Sequence, residues 1–346
     1  MALSPRSMQV LSAVVEIYTK TGEPVGSKAV CEWMEHACSS ATIRNVMSEL
    51  GELGYLEQPH TSAGRIPSPK GYCLYVDKLM KPYELTAADK SRLRALLPRQ
   101  PADVDELLGR VGEALAELTK CAAVATTPVD GEARVQRVDV IPLGRHILLL
   151  AMTISTGSVK SRAIRLVKEP TVEQLEHFLK VVNLQLVGER LDRVTPASAQ
   201  TTACALGLHA FDLTLLLDAL IEMAQEACSS QLCLGGESNL LMHREYDGDN
   251  ARRLLQFLSR KDQLASFLFR HAQNPQVVIG TETEEDALNG SAVVTAGYGV
   301  QGRPMGHIGV IGPLRMDYYH IVPSVAYFAS ELGKILKDAL NSDDGQ

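Results

Sequence analysis

Apolar side chains recur at helical spacing three times in the first 53 residues. In SMQVLSAVVEIYTK (7–20) the stripe is Val10, Leu11, Val14, Val15 and Tyr18, and it stops at Thr21-Gly22. VGSKAVCEWMEH (25–36) reads as a second, shorter helix with Val25, Ala29, Val30, Trp33 and Met34 inward. A third starts from Ser39 or Ser40, whose hydroxyl can accept an orphan backbone N–H. Its apolar face is Ile43, Val46, Met47, Leu50 and Leu53, one side of a 3.6-residue period. After Gly54 the period shortens. YLEQP (55–59) and RIP (65–67) read as two short strands joined by the loop PHTSAG, and SPKGYCLYVDKLMK (68–81) returns to helix. Three helices followed by a two-stranded ribbon predict a winged helix-turn-helix.

The polar face of the third helix points to chemistry. Ser39, Ser40, Thr42, Arg44, Asn45 and Ser48 come first, and the acids Glu49 and Glu52 lie at the far end. Such a helix suits a major groove, where hydroxyls and arginine meet phosphates and Arg or Asn pairs with guanine or adenine edges. The wing has a matching composition. Thr61 and Ser62 are small phosphate donors, Gly64 allows close backbone approach, and Arg65 can reach phosphate or a minor groove. His60 is expected to pack or hydrogen-bond within the turn and not to act as a base. The wing from His60 to Arg65 is expected to hold the flanking backbone, and Lys70 adds a positive charge just beyond the ribbon. Residues 1–83 carry eight Lys/Arg and eight Asp/Glu, so the whole net charge of −7 lies beyond them. Between Gln58 and Tyr75 the only charges are Arg65 and Lys70, a modest basic feature in an acidic chain.

Beyond residue 84, LTAADKSRLRALL (85–97) places Thr86 and Asp89 at capping-box spacing. A longer helix over 103–119 follows the Arg99-Gln100-Pro101 break. RVQRVDVIPL (134–143), RHILLLAMTI (145–154) and SVKSRAIRLV (158–167) read as strands, and TVEQLEHFLKVVNLQLVG (171–188) as an amphipathic helix. Strands return at QVVIG (276–280), SAVVTAGYG (291–299) and HIGVIGPL (307–314) before a closing helix over 318–340, with Pro323 as a bend or late start. Strands flanking a helical block suggest an α/β domain split by an insertion. Within that block, FDLTLLLDALIEMAQEA (211–227) carries the broad stripe Leu213, Leu216, Leu217, Leu220 and Met223, and LLQFLSRKDQLASFLF (254–269) repeats the habit. Such a stripe either fills a private core or is buried against a second copy of the chain.

Residues 41–80, ATIRNVMSELGELGYLEQPHTSAGRIPSPKGYCLYVDKLM, resemble the signature segment of the HrcA family of bacterial heat-inducible transcription repressors. SAVVTAGYG and GHIGVIGPLRMDY are similar to its second block. Two departures stand out. Cys73 occupies a position usually held by Arg, which would remove a phosphate contact, and IGTETEEDAL (279–288) is a looser match. The resemblance implies a multidomain α+β chain: a winged helix at 1–83, a linker helix at 84–102, and a GAF-like α/β domain at 103–191 and 275–346, interrupted at 192–274 by a mainly helical dimerising insert. It favours the dimer for the 211–227 stripe. It further implies a homodimer on the double-stranded CIRCE inverted repeat upstream of chaperone operons, assisted by the chaperonin GroE.

Other function classes find less support. GYGVQG (297–302) with Asp317 mimics a dinucleotide fingerprint, but Arg303-Pro304-Met305-Gly306 leads into another strand and no helix opens to face a pyrophosphate. No phosphate-loop, zinc-protease or nucleophile-elbow motif occurs. The seven cysteines are never spaced C-x-x-C, and Cys228 and Cys233 have no His close in sequence, so reduced thiols are expected and neither a metal nor a cofactor. With no apolar stretch near the ~18 residues that span a bilayer and no signal peptide, a cytoplasmic regulator is expected. A winged helix serving protein contacts, or a GAF-like ligand sensor, stays open as the alternative.

Overall fold

The computed structural model describes residues 3–81, 83–98, 104–126, 133–155, 158–207, 210–228, 232–271, 275–300 and 303–343. Helix α1 (Pro5–Thr21) opens with Ser4 as N-cap and a proline in its first turn, where a missing N–H costs nothing. Helices α2 (Ser27–Trp33) and α3 (Ser40–Glu52) complete a three-helix cluster. Its interior is Val10, Leu11 and Val14 from α1, Val30 from α2, and Ile43, Met47 and Leu50 from α3. Strands β1 (Leu56–Glu57) and β2 (Ile66–Pro67) pair antiparallel, with Leu56 opposite Pro67. The ribbon is also tied to the segment ahead of α2, because Val25 and Arg65 exchange two backbone hydrogen bonds of 2.8 and 2.9 Å.

The expected 68–81 helix is divided into α4 (Pro69–Leu74) and a π-helical turn, Tyr75–Leu79. Helix α5 (Ala87–Ala95) carries the full Thr86–Asp89 capping box. Thus the helical part of the expected 84–102 linker ends at Ala95, and the Arg99-Gln100-Pro101 break lies outside the described residues.

Helix α6 (Val104–Thr119) and strand β3 (Ala122–Thr126) begin the body. After Thr126 the chain builds a separate unit. Strands β4 (Val135–Gly144), β5 (Ile147–Ile154) and β6 (Val159–Arg165) form an antiparallel sheet in that order, followed by α7 (Val172–Leu186), α8 (Pro196–Leu206) and α9 (Ala210–Cys228). Alternation in β5 turns Leu148, Leu150, Met152 and Ile154 onto the helices. The Asn183 amide exchanges two 2.9 Å hydrogen bonds with the Val138 backbone, which covers part of the β4 edge.

The chain then returns as β7 (Leu232–Gly235), α10 (Gly248–Ser259), α11 (Lys261–Arg270), β8 (Gln276–Ile279), β9 (Ser291–Val300), β10 (Arg303–Pro313) and α12 (Tyr318–Asp343). These strands and β3 form a five-stranded antiparallel sheet in the order β7-β3-β10-β9-β8. Successive residues of β3 serve opposite faces: Ala123 and Ala125 meet α6 and α12, whereas Ala122 and Val124 meet α10 and α11. The result is three layers, helix–sheet–helix.

The expected insert at 192–274 therefore needs redrawing. Strands β4–β6 bury their apolar side on α7–α9 and take no place in the five-stranded sheet, so a boundary at residue 192 cuts through one packed core. Leu254, Phe257, Leu264 and Phe267, the 254–269 stripe, lie against the five-stranded sheet and belong to the body. Helix α12 starts at Tyr318 and runs through Pro323, so the proline sets no late start.

Candidate nucleic-acid interface

The site is built where α3 and the β1–β2 wing emerge side by side. Ser39 is the N-cap: its hydroxyl accepts from the Thr42 N–H at 3.2 Å and shares a 2.9 Å bond with the Thr42 hydroxyl. Ser40 bonds the Ser27 hydroxyl at 2.9 Å and so ties the start of α3 to α2. The turn between the two helices is held by Glu35 and His36 in left-handed conformation, and by the Cys31 thiol donating to the Cys38 carbonyl at 3.1 Å. These three hydroxyls thus set the position of the helix first. Arg44, Asn45 and Ser48 remain exposed on the outer face, and among the described residues no hydrogen bond or ion pair engages their side chains. Arg44 and Ser48 lie one turn apart with Asn45 beside them, so a guanidinium, an amide and a hydroxyl face whatever lies outside.

The wing divides in the same way. Gln58, which is not among the expected site residues, donates from its amide to the carbonyls of Thr61 (2.9 Å) and Ala63 (3.2 Å) and braces the turn. His60 is exposed and its carbonyl accepts from Ala63 N–H at 2.8 Å, so its backbone serves the turn while its side chain faces outward instead of packing there. The Thr61 and Ser62 hydroxyls are exposed and unengaged among the described residues.

Two wing assignments change. Gly64 gives close approach to the protein's own chain, not to a nucleic acid: a Cβ there would overlap the Val25 carbonyl oxygen. Lys70 donates to the Leu53 carbonyl at 2.9 Å and lies over the Tyr55 ring at 4.5 Å, placing its charge on the C-terminal end of α3. Arg65 is half-buried with its guanidinium against Gly51 of α3, at the junction of helix and wing. An exposed cation outside the expected set, Lys28, follows Ser27 at the start of α2. The signal for it was available, since the first helix of such a motif crosses a nucleic-acid backbone.

Cys73 also changes meaning. It points toward the body: burial first, then the neighbouring Glu282 carboxylate, push its thiol up to about 12. Glu282 lies within 279–288, so the two departures from the family pattern meet each other.

The stripe expected to dimerise is consumed internally. Leu213, Leu216, Leu217, Leu220 and Met223 are at most 4% exposed and fill the core between α9 and the β4–β6 sheet. Gly297–Val300 end β9 and Val300 pairs with Arg303 at the start of β10, so among the described residues no helix opens there to face a phosphate; Gln301 and Gly302 lie outside the described residues. Among the described residues no group of three metal-binding side chains converges, and no helix is long and apolar enough to cross a membrane.

Fold and surface together define a winged-helix DNA-binding regulator. Residues 2–76 match the family model for the HrcA winged helix-turn-helix DNA-binding domain, and residues 105–322 match the HrcA C-terminal domain. The heat-inducible transcription repressor HrcA of Halalkalibacterium halodurans is 32% identical over 97% of this chain and 98% of its own. That of Desulforudis audaxviator is 34% identical over 97% and 99%. A crystal structure of a hypothetical protein superposes with a TM-score of 0.70 at 24% identity, covering 97% of this chain and 99% of that one, which supports the fold. The chain belongs to the HrcA family of heat-inducible transcription repressors.

Proposed function

We propose that the protein acts as a homodimer that reads an inverted-repeat operator of the CIRCE type, with Arg44 and Asn45 against base edges and Ser48 beside them. The observation that carries this reading is the outer face of α3, unpaired among the described residues, next to a wing whose hydroxyls, Thr61 and Ser62, are exposed. Buried polar groups are satisfied at home, so exposed donors grouped on one helix face are the ones available to a partner. Lys28, Arg65 and the wing hydroxyls hold the flanking phosphates, which fixes register without reading sequence.

The dimer contact moves to another surface. On the side of the β4–β6 sheet opposite its helices, Ile141, Leu149 and Ala163 form one cross-strand row and Asp139, Ala151 and Ser161 the next. Ile141 is 50% exposed. An isologous contact of two such faces would bring two reading helices to two half-sites. The five-stranded body corresponds to the GAF-like domain, and chaperonin assistance would set the fraction of competent repressor, so heat would release transcription by drawing chaperonin away.

The test is an electrophoretic shift with purified protein on the inverted repeat and a scrambled duplex, with and without GroE, alongside sedimentation of wild type and Leu149→Glu. Selective binding strengthened by chaperonin, and a dimer that the charge splits into monomers, are expected. A soluble dimer that binds neither duplex would favour a protein-contact role for the winged helix. An unchanged dimer in Leu149→Glu would remove the sheet face from the account.

A further inference from the structure

The reading head does not hang free of the body, and one side chain bridges the seam. Arg315 lies between the end of β10 and the start of α12. Its Nε donates to a Glu245 carboxylate oxygen within the body, while a terminal nitrogen donates across the seam to the Thr19 carbonyl at 3.3 Å. Thr19 is in the last turn of α1, where carbonyls lack helical partners and a cation is favoured. The guanidinium also lies flat under Gly22, the left-handed C-cap of α1 (φ +70°); a Cβ there would sit 3.4 Å from its central carbon. Arg315 and Glu245 are each only 25% exposed.

Around this bridge the seam is closely fitted and partly unsatisfied. Tyr72, 1% exposed, sits with its ring 6.0 Å from that of Tyr318 at the start of α12. The Tyr72 hydroxyl and the second Glu245 carboxylate oxygen are both buried without a hydrogen-bond partner among the described residues. Cys73 meets Glu282 alongside. Helix α1 shares its core with α3 through Val10, Leu11 and Val14 against Ile43, Met47 and Leu50, so a tilt of α1 carries the reading face with it. Close packing transmits such a displacement and does not absorb it.

We propose that Arg315 is a positioning residue that sets the angle of the reading head on the body, and thereby the half-site spacing that the dimeric repressor accepts. This rests on the operator-binding reading above. The role of Arg315 in this account runs through α1 and not through the reading face. It holds α1 by a hydrogen bond and a flat contact and is itself held by Glu245, so its orientation is decided by the body. Removing it leaves the head's own core and the Arg44–Asn45–Ser48 face intact while loosening the angle between the two heads.

The experiment measures affinity of the full-length protein for a single half-site duplex and for inverted repeats whose spacer is changed one base pair at a time. Wild type should prefer one spacing. Arg315→Ala should keep half-site affinity while its preference among spacers falls by about tenfold, the scale of an ordinary coupling between sites. Should the alanine variant fold poorly, Arg315→Lys keeps the charge but lacks the planar fork that bridges Glu245 and Thr19, and its spacer profile should broaden as well. Spacer profiles of variant and wild type that coincide would overturn the proposal. An equal loss on half-site and repeat would overturn it too, since that marks damage to the head itself. If wild type binds no repeat selectively, the operator reading fails first, a distinct result.

Discussion

Helices α3 and α9 show the same apolar periodicity and end in different roles. Each buries its stripe: Ile43, Met47 and Leu50 beneath α1, and Leu213, Leu216 and Leu220 on the three-stranded sheet. What separates them is the opposite face. On α9, Glu222 and Glu226 are both paired with Arg162 of β6. On α3, Arg44, Asn45 and Ser48 have no side-chain partner among the described residues. An apolar stripe reports burial without naming the surface that covers it, whereas donors left without acceptors report an outside partner.

The largest expected effect lies on the α9 side of that comparison. Leu216→Ala should lower unfolding stability by about 2–5 kcal/mol, because a buried leucine loses both its transfer energy and its packing. Urea titration measures it, with sedimentation at a concentration where the variant is folded. A stable variant that only dissociates would restore the dimer role to that stripe. On the α3 side, Arg44→Ala should cost about 1–3 kcal/mol of operator affinity and leave the urea midpoint where it was.

Smaller effects sharpen the division within the wing. The double change Thr61→Ala, Ser62→Ala should weaken operator and scrambled duplex by the same factor, read by titrating both. Arg65→Ala should flatten the slope of log affinity against log salt by about 0.9 if it neutralises one phosphate. Lys70→Ala should leave that slope unchanged and lower thermal stability, since its charge is spent on the end of α3. An intact melting curve with a flattened slope would return Lys70 to the DNA surface.

The smallest effect belongs to the seam. Burial is the largest single influence on the Glu245 carboxyl and would raise it, but the hydrogen bond from Arg315, a backbone hydrogen bond and the nearby Arg315 and His243 charges together hold the group below the usual carboxylate range. Tyr18, Tyr72, Tyr246, His243 and Arg315 are the titratable groups that interact with it. Its contribution is complete above the unfolded carboxylate pKa and is lost as pH falls through the lower folded value. Below about pH 5, wild type should therefore lose slightly more thermal stability than Glu245→Gln. Parallel curves for the two proteins would mean that this pair contributes nothing to acid sensitivity.

The N-terminal elements are legible in sequence because each carries a local cue: Ser39 ahead of an amphipathic run, Gly54 after it, and Pro67 and Pro69 closing the ribbon. The body is less so. Strand β3, AAVAT in sequence, is small and buried on both faces, so it lacks the alternation that marks a half-wet strand. Without β3 and β7 the five-stranded sheet cannot be assembled from sequence, and β4–β6 look like its missing strands. Within the site, residue types such as Arg44 and Thr61 are readable, but their availability is not. Gly64 and Lys70 look like interface residues until Val25 and Leu53, which are distant in sequence, are seen to occupy them. Arg315 gives no sequence cue, because Glu245 and Thr19 reach it only through the fold.

The most direct test is a base-pair scan of the operator, in which each position is substituted in turn and affinity is measured for wild type and Arg44→Ala. If the outer face of α3 reads sequence, wild type will discriminate at a few positions in each half-site. Arg44→Ala will lose discrimination at one of them and keep the others. A wild-type profile flat across every position, or an Arg44→Ala profile lowered uniformly without changing shape, would contradict the central claim that these unpaired donors are base readers.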